Sequence, residues 1–308
     1  MKIRWIVMDM DGTLLNSQDE ITDRTRRALI ECERLGIRLI LASGRSYVRM
    51  QPFARELMME EYNGAFIEVN GLVLNCLTEG KRTVFAQLEK KDMEELVPFL
   101  REQEIEIQFY QDETLRYWIP ECRREIKLRE RSEKGYPDTH PLAADLWSWV
   151  TSNKNNYPNL VEIHSMEELP EHLNKMNCTD TPDKMEHVFR LLKQRFSDRY
   201  EIVRTAPRIV EIQPQGISKG KTLRKYMGQE KILPEEVMAF GDGENDVDMF
   251  RQVSYGIAMG NAKDYVKKYA FDVTSDHDRD GIAEALVKYG VIDSSFLSGG
   301  QEGRCFHG

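Results

Sequence analysis

Residues 3–8 are a short run of apolar, partly β-branched side chains that stops at Asp9-Met10-Asp11-Gly12, the pattern of a buried strand running into a loop. Helical spacing follows over 22–35, with Gly36 where a C-terminal cap belongs. Residues 38–41 read as a second strand stopped by Ser43-Gly44; a helical stretch over 46–59 then leads to a strand at 65–69 and a hairpin turn at Asn70-Gly71. Strand and helix alternating in this way predict a parallel sheet covered by helices. The middle of the chain breaks the rhythm. Strands at 84–86 and 104–110 flank a helix carrying Met93, Leu96, Val97 and Leu100, and Met185, Val188, Phe189 and Leu192 mark a second amphipathic helix. Between these helices, 112–160 is charged, aromatic and poorly periodic, while 200–204 and 208–212 predict a strand pair about Ala206-Pro207. From Gly216 the rhythm returns, with a helix at 219–227, a strand at 236–240, a helix at 245–251, a strand at 255–258, and helices at 263–269 and 281–289. The Gly- and Ser-rich residues from 294 read as a disordered tail. The expected fold is α/β: a parallel-sheet core with helices on both faces, interrupted by an inserted α+β domain.

Composition narrows the classes. At 308 residues, with 41% hydrophobic and 31% charged side chains, the chain is long enough for two domains and has an ordinary globular balance. The formal charge of -9 argues against nucleic acid, whose binding begins with neutralising phosphates. No apolar run approaches the roughly 18 residues of a membrane span, and Asp9 arrives too early for a signal peptide. Five scattered cysteines, odd in number, predict thiols in a reducing cytoplasm.

The chemistry gathers at strand ends. Asp9 and Asp11 follow the first strand, at the C-terminal strand ends where open parallel sheets bind ligands, and Gly12 and Thr13 behind them can turn backbone amides toward an anion. Two carboxylates so close repel each other and ask for a cation or a shared proton. Gly241-Asp242-Gly243-Glu244-Asn245-Asp246 repeats the arrangement after the strand at 236–240. Two acidic strand ends in one sheet predict a Mg²⁺ site, since that ion takes a few carboxylates, waters and a substrate phosphate. Ser43-Gly44-Arg45 ends the second strand as a hydroxyl backed by an amide, which suits a phosphate oxygen or a helix cap.

Other signals are decoys. Gly216-Ile217-Ser218-Lys219-Gly220-Lys221-Thr222 mimics a P-loop but is one residue short, so it cannot wrap a triphosphate. The acidic run Asp276 to Gly281 starts like a calcium loop but has Val287 where the closing Glu belongs, leaving Asp280 as a helix cap. Arg123, Arg124, Lys127, Arg129, Arg131 and Lys134 alternate with Glu121, Glu125, Glu130 and Glu133 and predict a solvated helix face. Tyr110, Tyr117, Trp118, Trp147 and Trp149 read as core of the inserted domain, and no histidine stands at zinc-ligand spacing.

Four motifs stand in order: Asp9-Met10-Asp11-Gly12-Thr13-Leu14-Leu15, Ser43-Gly44-Arg45, Ser218-Lys219-Gly220 and Gly241 to Asp246. Ala258-Met259-Gly260-Asn261-Ala262 and Asp280-Gly281-Ile282-Ala283 follow. Together they resemble the haloacid dehalogenase superfamily, and within it the Cof-type phosphatases. The resemblance runs nearly to Asp293 and implies a Rossmann-like core at 1–84 and 214–293. It also implies a mobile, substrate-selecting cap at 85–213 and a tail at 294–308. The charged stretch at 119–160 departs from the family pattern.

By this resemblance, Asp9 is the nucleophile and takes the phosphoryl group as an aspartyl-phosphate. Mg²⁺, held by Asp9, the backbone carbonyl of Asp11 and Asp242, cancels the repulsion between carboxylate and phosphate, with Asp246 orienting water on the ion from one layer out. Lys219 adds fixed positive charge. Gly12, Thr13, Ser43, Gly44 and Asn245 hold phosphate oxygens. Asp11 protonates the leaving oxygen and then deprotonates the attacking water. An acid at position 11 argues against a dehalogenase. The expected activity is Mg²⁺-dependent hydrolysis of a small phosphorylated metabolite, a sugar phosphate first, by a cytoplasmic monomer or small homo-oligomer without nucleic-acid or membrane partners. A phosphomutase on the same chemistry and a non-enzymatic phosphometabolite-binding protein are the alternatives.

Overall fold

The computed structural model describes residues 2–142 and 159–295. Trp147, Trp149, Cys305 and nearly all of the expected tail lie outside the described residues. The chain divides into two compact units, one made of Met1–Phe85 and Ile217–Gly308, the other of Ala86–Gly216.

In the first unit, β1 (Trp5–Met8), β2 (Arg38–Ala42) and β3 (Ala65–Glu68) alternate with α1 (Asp23–Arg34) and α2 (Tyr47–Glu56), then β4 (Val73–Cys76) and β5 (Lys81–Val84) turn back. The predicted strand at 84–86 is thus the end of β5. It pairs antiparallel with β4 and belongs to this sheet, because Val84 stands opposite Val73. The second unit contributes β6 (Leu88–Glu89), α3 (Lys90–Glu102), β7 (Glu106–Tyr110), β8 (Thr114–Trp118), α4 (Glu121–Glu133) and β9 (Asn159–Glu162). It continues through β10 (His172–Leu173), β11 (Lys175–Thr179), α5 (Pro182–Phe196), β12 (Tyr200–Ala206) and β13 (Ile209–Pro214). The first unit resumes with α6 (Lys219–Glu230), β14 (Val237–Gly241), α7 (Val247–Phe250), β15 (Tyr255–Ala258), α8 (Asp264–Lys267), β16 (Asp272–Val273) and α9 (Gly281–Lys288).

The sheet of the first unit runs β16-β15-β14-β1-β2-β3-β4-β5, parallel from β16 to β3. Its central strands are buried along their whole length, as the unbroken apolar runs require of a sheet covered on both faces. Alternation along each strand sorts the side chains. Ile6, Met8, Leu39, Leu41, Met238 and Phe240 pack with Leu29, Met50 and Leu286 of α1, α2 and α9. Trp5, Val7, Ile40, Ala239 and Ala258 pack with Leu223, Met249 and Val266 of α6, α7 and α8. Local signals set the ends of α1: the Thr22 hydroxyl caps the Thr25 amide, and Gly36 takes φ 82 just past the C-cap. No helix among the described residues is long and apolar enough to cross a membrane.

Glu33 of α1 is an exception within this core. It is 2% exposed, and neither carboxylate oxygen has a hydrogen-bond partner among the described residues. Burial, aided by the charge of Glu61, pushes its carboxyl up to about 8. Below its ordinary value of 4.5 both folded and unfolded chains hold the proton and the group contributes nothing. Between there and about 8 the unfolded chain gives up the proton first, so stability falls as pH rises. A Glu33→Gln variant is expected to lose this decline and to exceed the parent at pH 8 by on the order of 1 kcal/mol, after discounting for solvent screening. Unfolding midpoints at pH 5 and pH 8 test it; the same decline in both proteins would clear Glu33.

The sheet of the second unit runs β12-β13-β11-β7-β8-β9. Ile107, Phe109, Met176, Cys178, Val210 and Ile212 point to one face, under Met93, Leu96, Val97, Leu100, Met185, Val188 and Leu192 of α3 and α5. The alternate positions are polar and buried: Glu106, Gln108, Lys175, Asn177, Glu211 and Gln213. With Tyr110 on the same face they form a bonded layer, Lys175 donating to Glu211 at 2.5 Å and Tyr110 to Gln108 at 2.7 Å.

Three expectations are corrected here. The supposedly aperiodic stretch holds β8 and α4. The basic cluster on α4 is a solvated face only in part: Arg129 and Lys134 are exposed, whereas Lys127 is buried against Glu106 and Arg123 bonds the buried Asp180 at 2.7 Å. Asp280 stands at the N-cap position of α9 without capping it; its carboxylate accepts from Thr22 on α1, near Thr25 and Arg24. Tyr110 and Tyr117 are buried and Trp118 packs at the edge of the α3/α5 core. Cys32, Cys76, Cys122 and Cys178 are free.

Candidate active site

β1 and β14 lie side by side although more than two hundred residues separate them; from β1 the chain moves to β2 on one side, and from β14 it moves to β15 on the other. Loops at such a switch point diverge and leave a crevice at the strand ends. Asp9 follows β1, its amide donating to the Phe240 carbonyl at 3.0 Å, and Asp242 follows β14. The loop after Asp9 then folds tightly: the amides of Leu14 and Leu15 donate to the carbonyls of Asp9 and Met10. Gly12 allows this turn. It takes φ 78, and a Cβ there would lie 2.6 Å from a carboxylate oxygen of Asp242. The Thr13 amide, expected to face an anion, is used within the turn, donating to Met10 at 3.2 Å. Its hydroxyl instead holds Asp242 at 2.9 Å.

Asp9, Asp242 and Asp246 bring carboxylate oxygens within 4.8 Å of one another. Lys219, on the first turn of α6 and fully buried, reaches Asp9 at 2.5 Å and Asp246 at 2.7 Å. The other oxygen of Asp246 accepts from the amides of Asp242 and Gly243 at 3.0 and 2.9 Å, so this acid shapes the loop that carries Asp242. Burial works against the Lys219 charge, but Asp246 and Asp9 outweigh it and hold the proton well above the lysine range. Burial pushes Asp9 up to about 8, opposed by Lys219 and reinforced by Asp246 and Asp242. Asp242 is likewise raised by burial, against its bond from Thr13. Three carboxyl groups face one ammonium, so ionising all three needs a further cation, and the donors are all oxygen. That set fits a hard divalent cation such as Mg²⁺.

Asp11 lies apart from this group. Its carboxylate accepts from Nε and Nη2 along one edge of the buried Arg45 guanidinium, with Nε 2.9 Å from Oδ2. Partial burial works to raise it, but Arg45 outweighs this and holds Asp11 below the usual carboxylate range. Ser43 is buried; its oxygen accepts from the Arg45 amide at 3.2 Å, which leaves a hydroxyl proton to donate. Gly44 lies against the side chain of Asn70, and Asn245 donates its amide to Asn70 Oδ1 at 3.1 Å. Arg45, Asn70 and Asn261, whose amide donates to the Gly12 carbonyl at 2.8 Å, are site residues to which sequence reasoning assigned no role. Their signals lay in plain view in the Ser43 motif, the Asn70-Gly71 turn and the Ala258 to Ala262 stretch.

A family model described as haloacid dehalogenase-like hydrolase matches residues 6–286. The chain is 28% identical over 300 residues to "Endoribonuclease YBEY, chloroplastic" of Arabidopsis thaliana, covering 94% of this chain and 47% of that protein. It thus spans about half the length of that relative, and the ribonuclease is named for the longer protein. Pyridoxal phosphate phosphatase YbhA of Escherichia coli is 28% identical over 297 residues, 94% of this chain and 99% of its own. The crystal structure of a haloacid dehalogenase-like hydrolase from Bacteroides thetaiotaomicron superposes with a TM-score of 0.78 at 29% identity, covering 94% of this chain and all of that one.

Proposed function

We propose that this chain, which belongs to the haloacid dehalogenase-like hydrolases and is a phosphatase among them, hydrolyses small phosphorylated metabolites with Mg²⁺ through an aspartyl-phosphate, sugar phosphates foremost. The observation that carries this reading is the buried group of Asp9, Asp242, Asp246 and Lys219 at adjacent strand ends. Mg²⁺ would be held by Asp9, Asp242 and the Asp11 carbonyl and, when bound, supplies the charge that lets a carboxylate approach a phosphate.

The residues divide the work as follows. An Asp9 carboxylate oxygen attacks phosphorus as the ester P–O bond breaks, and Asp11 gives its proton to the departing oxygen. Water then attacks the phosphorus of the aspartyl-phosphate and passes a proton to Asp11, which frees Asp9 and inorganic phosphate. For this exchange Asp11 turns out of the grip of Arg45. Lys219 fixes the orientation of Asp9 and adds positive charge as negative charge moves between oxygens. The Ser43 hydroxyl, the Gly12 and Gly44 backbone and Asn245 hold the remaining phosphate oxygens. The second unit selects the substrate, and the protein works in a reducing cytoplasm, a reading that the free thiols support.

Purified protein incubated with Mg²⁺ and a panel of phosphorylated metabolites is expected to release inorganic phosphate from some members and to stop when the metal is chelated. Release from none would refute the reading. Label passing between two positions of a bisphosphate without release would assign a mutase.

A further inference from the structure

The loop between β3 and β4 is more constrained than a hairpin requires. Val69, Asn70 and Gly71 all have positive φ, at 48, 55 and 101°. Asn and Gly tolerate this region, but a β-branched residue there is an outlier that needs surrounding structure to hold it. The surroundings are the site itself. The Val69 amide donates to the Arg45 carbonyl at 3.0 Å, and the Asn70 amide to the Ser43 carbonyl at 2.9 Å. On the other side Gly71 lies so near the start of α6 that a Cβ would sit 2.3 Å from the Ser218 carbonyl, and its own carbonyl accepts from Thr222 at 2.6 Å. Between these anchors the Asn70 side chain takes the Asn245 amide at 3.1 Å and lies against Gly44.

One three-residue turn therefore touches the Ser43 loop, the helix that carries Lys219, and the Asn245 loop. We propose that Asn70 is a positioning residue. Its backbone amide holds the Ser43 carbonyl, while its carboxamide holds Asn245 and lies against Gly44, so that the side chain aligns Asn245 with the Ser43-Gly44 loop as one phosphate-binding surface. This rests on the phosphatase reading above.

Asn70→Gly separates this from a merely structural role, because glycine adopts φ 55 freely and removes only the side chain. The variant is expected to keep the parent unfolding midpoint. Its kcat should fall about 10- to 100-fold, the range typical when a supporting residue is lost, with KM changed much less. Binding of inorganic phosphate in the presence of Mg²⁺, followed by titration calorimetry, should weaken about tenfold. Asn70→Asp keeps an acceptor for Asn245 and should recover much of kcat, with KM raised by the added negative charge. Unchanged phosphate affinity in Asn70→Gly, or a loss of affinity that merely tracks a lowered unfolding midpoint, overturns the proposal. The calorimetry reads Asn70 whether or not phosphate is released, so a parent that binds phosphate but hydrolyses nothing would fail the phosphatase reading alone.

Discussion

Asp9→Asn is expected to lower phosphate release by about 10³-fold or more while leaving the fold intact. Asparagine matches aspartate in size but offers a neutral amide, so the covalent route closes instead of slowing. The fold survives because asparagine keeps the size of the side chain and adds no charge to the buried group, and Lys219 keeps its 2.7 Å bond to Asp246. Two readouts check it. Steady-state release should drop to background, and acid quenching of a labelled substrate should trap phosphoenzyme in the parent but none in the variant. Turnover that persisted with a normal unfolding midpoint would take Asp9 out of the nucleophile role.

The second large effect is on stability. Lys219→Met removes a fully buried ammonium and leaves Asp9 and Asp246 facing each other without it, Asp246 itself being wholly buried. Breaking a buried pair from one side costs about 3–5 kcal/mol, because the surviving charge stays desolvated. Methionine fills much of the lysine stem's volume, so most of the loss is electrostatic. In chelator, denaturant unfolding should therefore show a loss of about 3 kcal/mol or more. Saturating Mg²⁺ should restore part of it, since a divalent cation meets the same carboxylates. A variant as stable as the parent in chelator would mean that the carboxylates balance without Lys219. Catalysis should fall as well, by about 10²-fold or more, with one fixed cation gone from the reacting centre.

These effects concern residues whose place could be read from the chain. Asp9 and Asp242 stand directly after apolar runs, and an apolar run reports its own burial whatever lies beside it. Lys219 is harder. It sits in a stretch that mimics a P-loop, and only the match of Ser218-Lys219-Gly220 to a family motif gave it a role. Asp11 shows the limit: the sequence puts it two residues from Asp9, but it does not reveal that Arg45 draws its carboxylate away from the acidic group. Thr13 is similar. Its position predicted an amide facing an anion, whereas the turn consumes the amide and frees the hydroxyl for Asp242.

The pattern of apolar and polar residues by itself determined the alternation of strand and helix, the burial of the central strands, the break in the middle of the chain and the two acidic strand ends. Each of these depends on a residue and its near neighbours. The tertiary structure alone decided the pairings. Glu33 without a hydrogen-bond partner among the described residues, Lys127 against Glu106, Asp280 tied to the start of α1 and Asn70 against Asn245 all depend on residues from distant parts of the chain. Periodicity states which side of an element is buried, and it is silent about what that side meets. Partner choice follows from how strands order themselves in a sheet, and at this site the order that puts β14 beside β1 makes scattered acids and one lysine into a single charged group.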